Sequence, residues 1–371
     1  GVGAGTRSHL LNNLGLALTR TRQPEGRAAL EESLALALAA DEPEHACRAF
    51  VNLAWVELED LDLEAAQAHA TSGLALAERT EFLMFARYLQ LILAKVHFAA
   101  GRWDDVVPAA AFATDGSPPI RGAALTVIGQ LGVRRGDPGA VDLLSEAWNI
   151  ALATGESQRI GPAASALAEA LVLVGEPDMA VGALMQARPD VRRHGTVAVR
   201  AEFEFWLARV APESPPDPRA RELEDEPYSL LSAGRWDASR QRWSGAGFSY
   251  ESAFALTHSD QTDDLVTALA ELDALGAEPL AKSVRSVLRR QGVARVPRGP
   301  IASTRESPNG LTQRQREVAD LVIARMTNSE IADHLVVSVR TVDSHVAAIL
   351  SKLGVHSRRD LVARAGDFGL R

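Results

Sequence analysis

The stretch "NSEIADHLVVSVRTVDSHVAAILSKLGVHSR", residues 328–358, contains two short apolar stripes separated by a tight break. The second stripe falls within about 100 degrees of a helical wheel and consists of Val342, Val346, Ile349, Leu350 and Leu353. The opposite face carries small side chains flanked by cations. Small side chains let a helix lie deep in the major groove of DNA, because bulk would hold its backbone away from the base edges. The pattern predicts two adjacent helices, the second with its polar face turned to DNA.

Capping residues place the ends of these helices. "LTQRQREVADLVIARM", residues 311–326, begins with a predicted capping box of Thr312 and Gln315. Its predicted apolar face consists of Leu311, Val318, Leu321 and Val322. Thr327 or Asn328 can cap the next helix, whose buried side is Ile331 and Leu335. Ser338 is placed to cap the third helix, and Gly354 to end it. Residues 311–371 are therefore predicted to fold as one small helical domain.

This region resembles the LuxR/FixJ type of helix-turn-helix domain. The resemblance rests on "LTxRxxEV" at 311–318, "TNxEIAxxL" at 327–335 and "SxxTVxxHVxxILxKLGVxSR" at 338–358. It implies a four-helix domain that binds double-stranded DNA, with the helix 338–353 as the recognition helix and the helix opening at Ser357 as the usual dimer contact. The sequence departs from the family at Gln315, Arg325 and Asp343, where Glu, Gly and a cation are common.

Two sets of contact residues follow from this resemblance. Phosphate contacts, which set register without reading sequence, are predicted at Ser338, Arg340, Thr341, His345, Lys352 and Arg358. Base readout is predicted at Asp343, Ser344, Ala347 and Ala348. Asp343 either accepts a hydrogen bond from a cytosine amine or stabilises the helix dipole in the first turn. His345 lies beside the core stripe, which favours packing or a phosphate contact over a metal site.

The remainder of the chain predicts an all-α fold of stacked helix pairs. Ala and Leu recur at helical spacing, and similar breaks follow one another at intervals of 39, 40, 35, 39 and 59 residues, beginning at Arg22, Leu61, Gly101, Gly136, Gly175 and Gly234. Such a period is typical of an α-solenoid, since one helix pair cannot bury its apolar face alone. The segments "NLGLAL" at Asn13 and "NLAWVEL" at Asn52 resemble tetratricopeptide repeats, although the spacing exceeds that family's 34 residues.

Composition shifts suggest the domain boundaries. We predict tetratricopeptide-like repeats over 1–210, a Pro-rich loop over 211–227, a further helical region over 228–295, a flexible linker over 296–310 and the DNA-binding domain over 311–371. The linker prediction rests on the Pro, Gly and Ser of "VPRGPIASTRESPNG".

Charge is distributed unevenly between these parts. The chain of 371 residues has a formal net charge of -9, yet residues 301–371 hold ten Lys and Arg against eight Asp and Glu, whereas residues 1–300 hold 29 against 40. An acidic arm that stays off the duplex, joined to a small basic reader of DNA, fits these numbers. The single cysteine, Cys47, excludes a disulfide framework. With no membrane-length apolar run and no signal peptide, we expect a cytoplasmic protein.

A helical-repeat arm ahead of such a domain resembles the C-terminal part of large ATP-binding LuxR regulators. Their ATPase part is absent from this sequence, and "GVGAGT" at residue 1 lacks the lysine of a phosphate-binding loop. The chain is then either a piece of a longer protein or a shorter member that senses through its repeats. We predict no catalytic residue, cofactor or metal.

Two functions remain open at this point. The first is a dimeric transcriptional regulator whose arm receives a protein or a small molecule. The alternative is a non-enzymatic interaction scaffold whose helix-turn-helix domain mainly dimerises. Asp343 and the modest positive charge of residues 301–371 keep this alternative open.

Overall fold

The structure is a computed structural model that describes residues 3–293, 295–297, 311, 313–335, 338–355, 357–368 and 370. All regular secondary structure in these residues is helical, which confirms the predicted all-α fold class. The chain divides into two compact units, Gly1–Val296 and Pro297–Arg371. No helix among the described residues is both long and apolar enough to cross a membrane.

Short turns join the consecutive helices of the first unit, except for the longer connection between α11 and α12. The helices are α1 (Ala4–Arg20), α2 (Glu25–Ala39), α3 (Pro43–Glu59), α4 (Leu63–Arg79), α5 (Leu83–Ala99), α6 (Val106–Thr114), α7 (Pro118–Arg135), α8 (Ala140–Thr154), α9 (Ser157–Val174), α10 (Pro177–His194), α11 (Val197–Val210), α12 (Pro227–Ser232), α13 (Trp236–Gly245), α14 (Ser249–Leu256), α15 (Thr262–Leu275) and α16 (Glu278–Arg290). Short 3₁₀ turns at Trp103–Asp105 and Ala220–Leu223 complete the unit.

Each of the six breaks found in the sequence begins with a residue in the left-handed region of backbone conformation. Their φ angles are 56° at Arg22, 66° at Leu61, 75° at Gly101, 88° at Gly136, 86° at Gly175 and 73° at Gly234. A left-handed residue after the last helical turn ends the helix and redirects the chain. Four of the six breaks have the glycine that this conformation favours, which is why the sequence made them visible.

Small residues bring helix backbones close together where the sequence suggested it. A Cβ placed at Gly15 would lie 2.7 Å from Leu30 Cγ and 2.8 Å from the carbonyl oxygen of Gly26. Helices α1 and α2 therefore touch at a point with no room for a side chain. Ala54, in the second resembling segment, is fully buried.

A buried arginine joins the region 228–295 to the preceding repeats. Arg134 on α7 donates from Nε to Glu169 Oε1 on α9 and from Nη1 to Glu251 Oε1 on α14, both at 2.8 Å. Its guanidinium lies 3.8 Å from the centre of the Tyr250 ring. Because all three charged side chains are buried, each depends on the others for compensation of its charge.

The Pro-rich loop 211–227 packs against the body of the first unit. Arg200 Nε donates to Asp217 Oδ2 at 2.9 Å, with both side chains almost fully buried. Leu223 and Tyr228 belong to the same apolar core as α7 to α11. This loop is thus held at Asp217 and again near its C-terminal end.

The second unit has its own helices and its own core. The helices are α17 (Gln313–Ile323), α18 (Asn328–Leu335), α19 (Val339–Lys352) and α20 (Arg358–Ala363), followed by a 3₁₀ turn at Ala365–Phe368. The fully buried side chains at its centre are Leu311, Val318, Val322, Ile331, Val342, Ile349 and Leu361. Of the predicted linker, residues 298–310 lie outside the described residues, as do Thr312 of the proposed capping box and the predicted turn residues Val336 and Val337.

An independent core predicts that the second unit folds alone. A fragment of residues 307–371 should show a helical circular dichroism spectrum and a cooperative thermal transition, because its core draws only on residues of the same unit. The full chain serves as the reference. An unfolded fragment alongside a folded full chain would contradict the boundary at residues 296–310.

Candidate nucleic-acid interface

Burial fixes which face of α19 is available to a partner. Val342 and Ile349 are fully buried, and Val346 is 9% exposed. Leu350 and Leu353 pack against the same core while remaining partly accessible. The predicted core stripe is confirmed, so the polar face lies on the opposite side of the helix.

Side-chain caps fix the starts of α18 and of α19, the helix that carries this polar face. Ser338 Oγ accepts the backbone amide of Thr341 at 3.1 Å, as the sequence predicts. Before α18, Thr327 rather than Asn328 is the cap: its hydroxyl oxygen accepts a hydrogen bond from the Glu330 backbone amide at 3.3 Å, and its own backbone amide donates to Glu330 Oε2 at 2.6 Å. The hydrogen bond from the Thr327 amide lowers the pKa of Glu330. This contribution to stability is present above the pKa of an unfolded glutamate and is lost on acidification.

The predicted contact residues on α19 are mostly exposed. Ser338, Arg340, Thr341, Asp343, Ser344, Ala347 and Lys352 are exposed, whereas His345 and Ala348 are half-buried. The Arg340 side chain makes no hydrogen bond or ion pair with the described residues, and the Ser344 hydroxyl donates back to the Arg340 carbonyl at 3.0 Å. The first turns of α19 therefore present a cation beside small polar groups. This arrangement suits a phosphate and base edges.

Lys352, at the other end of α19, has a partner within the domain. Its Nζ donates to Gln315 Oε1 at 2.9 Å, and Gln315 itself is buried. Gln315 was predicted to serve a helix cap with Thr312, which lies outside the described residues. The structure adds a second role, because Gln315 connects α17 to the end of α19. Contact between Lys352 and a phosphate stays a prediction.

A chain of hydrogen bonds connects Arg358 to Asp343 through Asn328. Arg358 Nη1 donates to Asn328 Oδ1, and Asn328 Nδ2 donates to Asp343 Oδ1, each at 2.7 Å. Arg358 also donates to the Met326 carbonyl. Asp343 thus accepts a hydrogen bond from α18, a structural role that adds to the two roles predicted from the sequence. The role of Asn328 was missed, since its spacing from Asp343 and Arg358 has no helical period.

The turn before α18 contains a residue in an unfavourable conformation. Arg325 has φ of 67°, in the left-handed region where glycine is preferred. The backbone conformation for which the resembling family has glycine is thus retained here by an arginine. The next carbonyl, that of Met326, is the one bound by Arg358.

Replacement of Arg358 tests its position in the domain. Arg358→Ala should reduce the free energy of opening of α19 by about 1 to 3 kcal/mol, since it removes charged hydrogen bonds to Asn328 and Met326. Hydrogen exchange of Val339–Lys352 in the full chain measures this. Arg359→Ala is the matched control, because Arg359 is exposed and its side chain makes no hydrogen bond or ion pair with the described residues. Equal exchange in both variants would show that the hydrogen-bond chain does not support α19.

Comparison with known proteins identifies the same region. Residues 309–365 match the model of bacterial regulatory proteins of the luxR family. The chain is 42% identical over 63 residues to the spore germination protein GerE of Bacillus subtilis. This aligned stretch covers 16% of this chain and 85% of GerE. It is 40% identical over 70 residues to the uncharacterized response regulatory protein YgeK of Escherichia coli, covering 19% of this chain and 48% of YgeK.

The oxygen regulatory protein NreC of Staphylococcus aureus is 39% identical over 64 residues, 17% of this chain and 30% of NreC. The chain thus spans about half of YgeK and less than a third of NreC, but most of GerE. All three similarities are short, and each is consistent in length with the second unit alone. With the exposed polar face of α19 and its capped start, they assign this chain to the LuxR family of bacterial regulatory proteins.

Proposed function

We propose that this protein regulates transcription by inserting α19 into the major groove of a specific DNA site, in response to a signal received by its helical arm. The observation that carries this proposal is the exposed polar face of α19, where Arg340, Ser344 and Ala347 are accessible while Val342 is buried. A helix with small accessible side chains can approach base edges closely.

Positioning and reading are assigned to different residues. Ser338, Arg340, Thr341, His345, Lys352 and Arg358 are proposed to contact phosphates. Asp343, Ser344, Ala347 and Ala348 are proposed to face the bases. The Asn328 hydrogen bond supports a fixed orientation of the Asp343 carboxylate, which would favour discrimination at a single base pair.

Charge supports a division of labour between the two units. The arm is strongly acidic and the second unit slightly basic, so the long-range field favours contact between DNA and the second unit only. Binding as a dimer through α20 is part of the proposal, because two half-sites give longer and more specific recognition than one.

Substitutions on α19 separate positioning from reading. Arg340→Ala should weaken binding to specific and random DNA alike and reduce the slope of log K against log salt by about one. Ser344→Ala, or a bulky residue at Ala347, should cost about 1 to 3 kcal/mol on the preferred site and little on random DNA. The preferred site is obtained by selection from a random library, and affinities are measured by fluorescence anisotropy.

Asp343→Lys serves as the comparison of opposite charge. If Asp343 acts only on the helix dipole, the new cation raises affinity for every sequence. A loss confined to one C·G pair would identify Asp343 as a base reader. Absence of any effect from these substitutions would favour an interaction scaffold over a regulator.

A further inference from the structure

A cavity of about 460 Å³ lies inside the first unit. Its walls come from α1, α3, α5 and α9 and from the turn between α10 and α11, so alternate helices of the repeat supply its surface. The volume falls within the range of small-molecule sites. A second, smaller cavity of about 20 Å³ is also lined by Trp55 and Arg159, and Lys95 belongs to its lining.

The rim of this cavity is closed by contacts between distant parts of the arm. Arg20 Nη2 donates to the carbonyl oxygen of His194 at 2.8 Å, and Arg22 pairs with Glu226. These bonds join the end of α1 to segments more than 170 residues away. Closure on this side favours a small molecule over a peptide or a partner helix as the occupant.

The charge of the lining is opposite to that of the arm. Arg20, Arg48 and Arg159 line the cavity, with Glu59 as the only acidic side chain among the lining residues. Glu59 accepts a hydrogen bond from Trp55 Nε1 at 3.0 Å, and burial raises its pKa. A raised pKa reduces its ability to neutralise the arginines. An acidic arm therefore encloses a cationic interior.

Arg159 is the central feature of the lining. It is only 9% exposed, and its guanidinium lies 5.2 Å from the centre of the Trp55 ring and 5.9 Å from that of Tyr88. Its Nε has no hydrogen-bond partner among the described residues; it forms an ion pair with Glu156 Oε2 at 3.8 Å, a distance too long for a hydrogen bond. A buried guanidinium nitrogen without a hydrogen-bond acceptor carries a desolvation cost, which an anion would offset.

Lys95, which lines the smaller cavity, supplies a second cation beside the Trp55 ring. Its Nζ lies 5.7 Å from the centre of the Trp55 ring, and it has no recorded hydrogen bond or ion pair in the described part of the chain. Burial, followed by the charge of Arg159, lowers the pKa of Lys95 to about 8. Two cations flanking one indole ring form a site for an anionic group next to a flat surface.

We propose that this cavity binds a small molecule that carries a carboxylate or phosphate on a flat or apolar body, held by Arg159 and Lys95 beside Trp55. Such a ligand is the signal of the regulator, so this inference rests on the proposed function and specifies its effector. The oxyanion accepts a hydrogen bond from Arg159 Nε, and the apolar body packs against Trp55 and Tyr88.

Calorimetry on the full chain tests this with 1-naphthoate, phenyl phosphate and the neutral 1-naphthylmethanol. At least one anion should bind about tenfold more tightly than the alcohol. Arg159→Gln and Lys95→Gln should each reduce the affinity for that anion by about tenfold or more, and Arg159→Lys should reduce it by less. Arg87→Gln is the matched control: Arg87 also lies over an aromatic ring, 4.6 Å from the centre of Phe112, but does not line the cavity.

Circular dichroism verifies that each variant is folded. Because three substitutions cover two positions, the test remains valid if one variant fails to fold. Failure of both anions to bind at millimolar concentration, or equal binding by wild type and the folded Arg159 and Lys95 variants, would overturn the inference. DNA affinity is measured on the same samples. DNA binding without anion binding would reject only the proposed anion site. Anion binding without DNA binding would reject the proposed function and leave the anion site supported.

Discussion

Burial of Val342, Val346 and Ile349 is the constraint on which the second unit depends. These side chains fix the rotation of α19 about its own axis, and that rotation decides which residues any partner can reach. Caps at Thr327 and Ser338 set where α18 and α19 begin. Once the rotation and the first residue of α19 are fixed, packing alone leaves Arg340 and Ser344 exposed. The contacts proposed with DNA follow from that exposure.

The two units differ in how they use cations. In the second unit, Arg340 is exposed and available to a phosphate of a large external partner. In the first, Arg134 is buried and hydrogen-bonded to two glutamates, whereas Arg159 is buried with an Nε that has no hydrogen-bond partner among the described residues and only a 3.8 Å ion pair to Glu156. This contrast distinguishes an arginine that supports the fold from the one proposed to bind a ligand, because both lie on aromatic rings and only Arg134 is hydrogen-bonded to carboxylates.

Local patterns in the sequence predicted much of this structure, while contacts between distant residues escaped them. The Gly and Asp breaks, the apolar stripe of α19 and the Ser338 cap are short-range features with helical periods, and the structure confirms them. The hydrogen bonds of Asn328 with Asp343 and Arg358, the Lys352–Gln315 contact and the Arg134 network depend on tertiary packing, which has no period. The cavity at Arg159 has no local signal in the sequence, since its lining comes from five separate segments.

The central claim is that the intact chain recognises specific DNA through α19. Sequencing of genomic DNA fragments retained by the full-length chain at physiological salt tests it most directly. We expect enrichment of a short motif arranged as two half-sites, with loss of that motif when Ala347 is replaced by a bulky residue. Uniform retention of genomic sequence by the wild-type chain, or the same motif with both proteins, would contradict it.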